Sequence, residues 1–241
     1  GSGDDIFIIS GNAGLDLYGG AGNDTFRLLN GADFSGILDG QEGLDILDYQ
    51  DYSSGVQVNL NGASVTWAGQ AYLAQSATAV NGGVAYGFQS IEGVIGSLGD
   101  DILIGSDSAN TFEGLAGDDV LIGLGGDDLY CFGDNWGNDI IIETAGGGND
   151  TISFAAASSG FTFGWEAMTA STFRLLVTVT GDPDGVNRLT HEGIQVETLV
   201  GGSGNDTFAI TGDQRLNLIG GAGNDVFIFQ GHCSTSDMSI N

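Results

Sequence analysis

The nine residues Gly19-Gly20-Ala21-Gly22-Asn23-Asp24-Thr25-Phe26-Arg27 have the form G-G-x-G-x-D-x-U-x, where U is apolar. The same unit returns at 201–209 (GGSGNDTFA) and at 220–228 (GGAGNDVFI). From residue 96 to residue 131 four units follow without a gap: GSLGDDILI, GSDSANTFE, GLAGDDVLI and GLGGDDLYC. Looser copies stand at 1–8, 40–48, 134–142 and 145–153. A chain with so short a fixed period is built by stacking one small structural step on the next, because a single step cannot bury an apolar face alone.

Each unit divides into a strand and a turn. Side chains alternate faces along a strand, so in x-U-x the middle Ile, Leu or Phe points one way and its neighbours the other. The G-G-x-G-x-D part is a tight turn, in which glycine permits positive φ and close approach of one backbone to another. Two units make one coil, and turns two units apart then stack along the same edge. The expected architecture is all-β: a parallel β-solenoid with glycine-rich turns along both edges. Phe26, Leu103, Phe112, Leu121, Tyr130, Phe208 and Phe227, all at position U, should point inward.

The stacked turns bring the sixth-position residues together: Asp5, Asp24, Asp45, Asp101, Asn110, Asp119, Asp128, Asp139, Asp150, Asp206 and Asp225. Backbone carbonyls near Gly3, Gly20, Gly22, Gly99, Gly117, Gly126, Gly204, Gly221 and Gly223 are bared beside them. A hard cation such as Ca²⁺ takes 6–8 oxygen ligands, carboxylates and carbonyls among them. These residues are therefore the candidate calcium ligands. The spacing of 18 holds from Asp101 to Asp119 and from Asn110 to Asp128. It drifts to 20 from Asp119 to Asp139, 21 from Asp24 to Asp45 and 22 from Asp128 to Asp150, which puts those junctions in question.

Charge supports a cation partner and excludes others. The formal net charge is −28, there is no lysine, and the four cations are Arg27, Arg174, Arg188 and Arg215. Such a chain repels nucleic acid and anionic membranes. Disorder, the other outcome of a strongly acidic composition, goes with few apolar residues, whereas 41% are hydrophobic here. Known catalytic patterns fail on particular residues. His191-Glu192 opens a zinc-protease helix motif, but Gln195 stands where its second histidine belongs. A phosphate-binding P-loop needs a lysine, and no G-x-S-x-G elbow occurs. The pairs Asp100-Asp101, Asp118-Asp119 and Asp127-Asp128 look like glycosidase dyads, but their fixed place in the turn explains them better. The chain is not expected to be an enzyme.

With these residues in view, blocks 1–48, 94–154 and 199–230 resemble the hemolysin-type RTX calcium-binding repeats. The resemblance implies a right-handed parallel β-roll, Ca²⁺ as cofactor, export by type I secretion, and folding triggered by calcium outside the cell. Two stretches depart from the pattern, so the chain reads as five segments: repeat blocks at 1–48, 94–154 and 199–241, and irregular β spacers at 49–93 and 155–198. The spacers should be wider coils, or else small inserted β-subdomains. Strands are expected at 55–60, 175–180 and 186–190, with a turn at Asp182-Pro183-Asp184-Gly185.

A longer repetition overlies the nonapeptide. Residues 1–28 match 202–229 at 16 of 28 positions, and an offset of 105 relates 45–60 to 150–165 and Glu92 to Glu197. Modules of this kind favour a structural repeat region of a large secreted or cell-surface protein, an adhesin or S-layer-like chain of which this is a segment. The alternative is an accessory module of a secreted epimerase, protease or lipase. Trp67, Tyr72, Trp136 and Trp165 read as aromatics that cap core layers or fill the wider coils; by resemblance to modules that bind polysaccharide they would, in that alternative, be candidate sugar contacts. Neighbouring copies at the cell surface are the other expected partner.

Overall fold

A computed structural model describes residues 1–78, 80, 88–144, 147–167, 173–180, 188–192, 196–211, 216–230 and 239–240. Every regular element among them is a strand.

Two long sheets dominate. The first has ten strands and is parallel throughout, running from Ile6–Ile9 and Thr25–Leu28 through Thr111–Glu113 and Leu129–Cys131 to Asn217–Ile219 and Ser239–Ile240. From residue 57 onward, strands that fall between these in sequence, such as Ile102–Ile104, Val120–Leu124 and Asn138–Glu143, build the second sheet, while Leu17–Ala21, Leu38–Glu42 and Phe88–Gln89 form a separate three-stranded sheet. Over residues 93–153 successive units thus alternate between the two sheets, as the nine-residue period demands. Thr111, Phe112 and Glu113 pair with Leu129, Tyr130 and Cys131, two units on. Ile102, Leu103 and Ile104 pair in the same way with Val120, Leu121 and Ile122.

Position U lines the interior. Phe26, Phe112, Tyr130, Leu103, Leu121 and Phe208 are fully buried and belong to one continuous core fed by both sheets. Phe227, on the last long strand, is half-buried and packs against that core. Identical register stacks like on like: Phe163 lies on Phe208 with ring centroids 4.3 Å apart, and Phe208 on Phe227 at 4.9 Å. Each such side chain removes its apolar surface from water twice over, against the facing sheet and against the coils above and below.

The spacers enter the two sheets unequally. In the first sheet Leu47 pairs directly with Val94, and Ile152 with Leu199, so each spacer adds no strand there. In the second sheet each adds three layers. Phe161–Ala167, Phe173–Val179 and Arg188–Glu192 form an antiparallel meander whose last strand joins Asn138–Glu143 and whose first joins Thr207–Thr211. The earlier spacer follows the same plan in shorter pieces. Gln57–Asn59 pairs with Ile102–Ile104, Ser76–Ala77 runs antiparallel to it, and Val80 bridges Ala77 on one side and Phe34 on the other. These are wide coils continuous with the sheets. The first spacer also lays a hairpin, Val65–Trp67 with Gln70–Tyr72, over the outer face, where Tyr72, Ile104, Val120 and Ile122 form a second, smaller core. The strand read at 175–180 is Phe173–Val179, and that read at 186–190 begins among the described residues at Arg188. The turn at 182–185 lies outside the described residues.

Candidate metal centre

The sixth-position residues form two ladders, one along each edge. Asp5, Asp24, Asp45, Asn110, Asp128 and Asp150 stand at the starts of strands of the first sheet, and Asp101, Asp119, Asp139, Asp206 and Asp225 at starts in the second. The rungs are hydrogen bonds between coils. Along each ladder the backbone N–H of one residue donates to a carboxylate oxygen of a counterpart one coil on: Asp24 to Asp45 at 2.7 Å, Asp101 to Asp119 at 2.8 Å, Asn110 to Asp128 at 2.7 Å, Asp206 to Asp225 at 3.0 Å. The drifted junctions keep the rung: Asp119 donates to Asp139 and Asp128 to Asp150, both at 2.9 Å. The strands that follow keep the same offsets, 20 from Val120 to Ile140 and 22 from Tyr130 to Ile152, so the extra residues there fall between the paired strands, outside the ladder.

One oxygen of each carboxylate is thereby tied down, which leaves the other. The Oδ2 atoms of Asp24, Asp45, Asp119, Asp128, Asp139 and Asp150 are buried without a hydrogen-bond partner. Buried polar groups are normally paired, and burying an unpaired charge is costly. These oxygens also face other oxygens. A Cβ placed on Gly40 would lie 2.2 Å from both Asp45 Oδ2 and the carbonyl oxygen of Ser90, and one on Gly19 would lie 2.1 Å from Asp24 Oδ2 and 2.7 Å from the Gly40 carbonyl. The first glycine of the unit is thus required because a carboxylate and a carbonyl from the next coil converge on the space above it. Oxygens that converge with no donor between them suit a hard cation, and the donor set is the one Ca²⁺ prefers.

Three members differ. Asp101 Oδ2 accepts the Ser97 N–H at 2.6 Å, Asp206 Oδ2 the Gly202 N–H at 2.9 Å, and Asn110 Oδ1 the Ser106 N–H at 2.7 Å. Their turns are closed by their own backbone. At the terminal coils Asp5 is exposed and Asp225 half-buried, although the Asp5 N–H still donates to Asp24 at 2.7 Å. The bared carbonyls lie where glycines cross: those of Gly3, Gly22, Gly99, Gly117, Gly126 and Gly204 pack against the glycine one coil on, as in Gly22 on Gly3 and Gly117 on Gly99. The Gly20, Gly221 and Gly223 carbonyls show no comparable crossing among the described residues.

Two ladder members carry no unit signature. Glu92 accepts the Asp45 N–H at 3.0 Å and Glu197 the Asp150 N–H at 2.8 Å, so each closes a ladder across a spacer. The paired aspartates separate: Asp119 and Asp128 are buried while Asp118 is exposed. Asp118 and Asp127 belong to an outer ladder, accepting the N–H of Asn138 at 3.1 Å and of Asn149 at 2.9 Å. This geometry, with one carboxylate inside and one outside, is not that of two acids facing one bond.

A family model for the RTX calcium-binding nonapeptide repeat matches four segments, at residues 1–34, 95–130, 193–209 and 217–228. The chain carries RTX repeats. No curated protein matches the chain. The RTX ladder nonetheless continues beyond the matched segments, since Asp45, Asp139 and Asp150 are joined to it by the same rung.

The electrostatics of the RTX turns follow from burial. Desolvation, aided by the negative charge of neighbouring aspartates, pushes the carboxyl of Asp139 up to about 9, Asp119 to about 8 and Asp128 to about 7; burial raises Asp206 to about 6. A carboxyl whose folded value lies above its unfolded value holds its proton more tightly when folded. Without metal, its contribution to stability is therefore fully present below about pH 4 and is lost as pH rises through the folded value. In excess chelator, the β-signal in circular dichroism should grow as pH falls from about 9 to about 5. A signal that instead weakens with acid would show that carboxylate repulsion is not what opposes the metal-free fold.

Proposed function

We propose that the chain is a calcium-binding structural repeat region of a secreted or cell-surface protein, wound as a right-handed parallel β-roll. The observation that carries this reading is the row of buried aspartate oxygens without partners, of which those of Asp24 and Asp45 face a main-chain carbonyl of the next coil. The RTX repeats themselves support calcium as the ion, and their usual occurrence in proteins exported by type I secretion supports the location. The offset of 105 between modules, seen in the fold as two spacers with one plan and one closing glutamate each, supports a structural rather than a catalytic role. Two of the four aromatics that a sugar-binding module would offer support it too: Trp136 is buried against Phe132, Phe154 and Phe161, and Tyr72 of the outer hairpin is buried against Ile104, Val120 and Ile122.

The test is metal content. Protein dialysed to equilibrium against a few millimolar calcium should hold several Ca²⁺ per chain above the free ion, because extracellular modules bind calcium with Kd as weak as ~10⁻⁴–10⁻³ M. Retention of less than one ion per chain would overturn the proposal.

A further inference from the structure

One carboxylate outside every repeat motif reaches into a ladder site. Glu143 ends the strand Asn138–Glu143 of the second sheet and is 9% exposed. Its carboxylate and those of Asp128 and Asp150 offer oxygens that all lie within 4.8 Å of one another. Asp128 Oδ2, Asp150 Oδ2 and Glu143 Oε2 are each buried and without a hydrogen-bond partner. The other Glu143 oxygen accepts from the Tyr130 hydroxyl, which fixes the carboxylate in place. Among the described residues no cation pairs with these three acids.

The place is a ladder site with a changed donor. At Gly19, Gly40, Gly96 and Gly201 the space beside the aspartate is met by a main-chain carbonyl of the next coil. At Gly123 a Cβ would lie 2.2 Å from the Tyr130 hydroxyl, 2.4 Å from Asp128 Oδ2 and 2.4 Å from Glu143 Oε1, the oxygen that accepts from Tyr130, with the unpartnered Oε2 on the same carboxylate. A carboxylate thus stands where those four sites offer a neutral carbonyl. The cause is local. The coil from Asp128 to Asp150 is longer than two units, and the register shift after Ile122 sets Glu143 opposite Leu124.

We infer that Glu143 is a metal ligand and that Asp128, Glu143 and Asp150 form the tightest divalent-cation site of the chain, the first to fill as calcium rises. The inference rests on the calcium reading above and deepens it. Affinity for Ca²⁺ is set by the number of charged ligands and the rigidity of the site, and this site has three carboxylates, one of them anchored by a buried tyrosine.

Calcium bound per chain is measured across a series of chelator-buffered free calcium concentrations, for the native chain and for Glu143→Gln. The native chain should hold one ion at calcium levels where the rest have left. In Glu143→Gln that ion should leave with the others, its affinity lowered about tenfold or more. Superimposable curves for the two chains would overturn the inference while leaving calcium binding intact. A native chain that binds no calcium at all would instead remove the reading beneath it. Should Glu143→Gln fail to fold at millimolar calcium, Tyr130→Phe decides, since it keeps the ring and removes only the hydroxyl. Excited in the tyrosine band, the first equivalent of Tb³⁺ should luminesce in the native chain and lose most of that emission in Tyr130→Phe. Equal emission from both would place the first ion elsewhere and overturn the inference.

Discussion

In excess chelator at neutral pH the chain is expected to lose most of its β-sheet signal, and to regain it when calcium is restored to about millimolar. Six aspartate oxygens are buried without partners in the ladder turns, and an unsatisfied buried polar group costs ~1–3 kcal/mol, more when charged. Together they oppose folding by on the order of 10 kcal/mol, which is as large as the ~5–15 kcal/mol by which whole domains are stable. The glycine-rich turns add the large entropy cost of ordering glycine. A bound ion reverses the sign of the first term. One site filled at a hundredfold excess over Kd contributes roughly 2.7 kcal/mol to the folded state alone, and several sites act together. The measurement is far-UV circular dichroism through a cycle of chelation and calcium addition. An unchanged signal would mean that the apolar column alone holds the sheets together and that the ions are not its counter-charge.

The same physics explains what the sequence reveals and what it conceals. Position U and the sixth position are legible because each is a direct consequence of period. Phe112 and Tyr130 must share a face if a coil holds two units, and Asp101 must meet Asp119. The drifted junctions are less legible because nine-residue counting has no way to show where surplus residues go. The rung from Asp24 to Asp45 persists because the hydrogen bond and the stacked glycines hold it, while the surplus loops out elsewhere. Glu92, Glu197 and Glu143 are hidden for a related reason. They sit outside the unit, at places set by pairing across coils rather than by spacing along the chain. The offset of 105 between Glu92 and Glu197 is the one trace that two of them leave. The antiparallel meander of the second spacer is also beyond a period-based reading, because alternation of faces is the same in parallel and antiparallel strands. For Trp67 and Tyr72 the sequence leaves core filling and sugar contact both open, and the hairpin's position over Ile104, Val120 and Ile122 shows what they pack against.

Replacing Gly117 with alanine should be among the most damaging single-methyl changes available in this fold, even with calcium saturating. Gly117 has φ of +131°, a region that an L side chain rarely adopts, and such strain costs ~1–3 kcal/mol. The added Cβ would also lie 2.7 Å from the Gly99 carbonyl carbon and 2.8 Å from its oxygen. Both are backbone atoms of the stacked coil, so no side chain can swing away. Coils held in register by the first sheet and by the rung from Asp101 to Asp119 cannot separate locally without breaking the ladder that binds the ion. Overpacking of this kind adds ~1–3 kcal/mol, for a total of about 3–5 kcal/mol. The fourth position therefore demands glycine for two reasons that act at once, whereas the third position demands it for neither. Gly125 stands at that third position, and a Cβ there would meet nothing nearer than 3.6 Å. Gly125→Ala should leave stability unchanged or raise it by up to ~1 kcal/mol through the unfolded chain. Urea denaturation of both variants at saturating calcium makes the comparison. If Gly117→Ala and Gly125→Ala shift the midpoint alike, then coil-on-coil contact at the glycine crossings is not what fixes the repeat, and glycine's place in the unit has another cause.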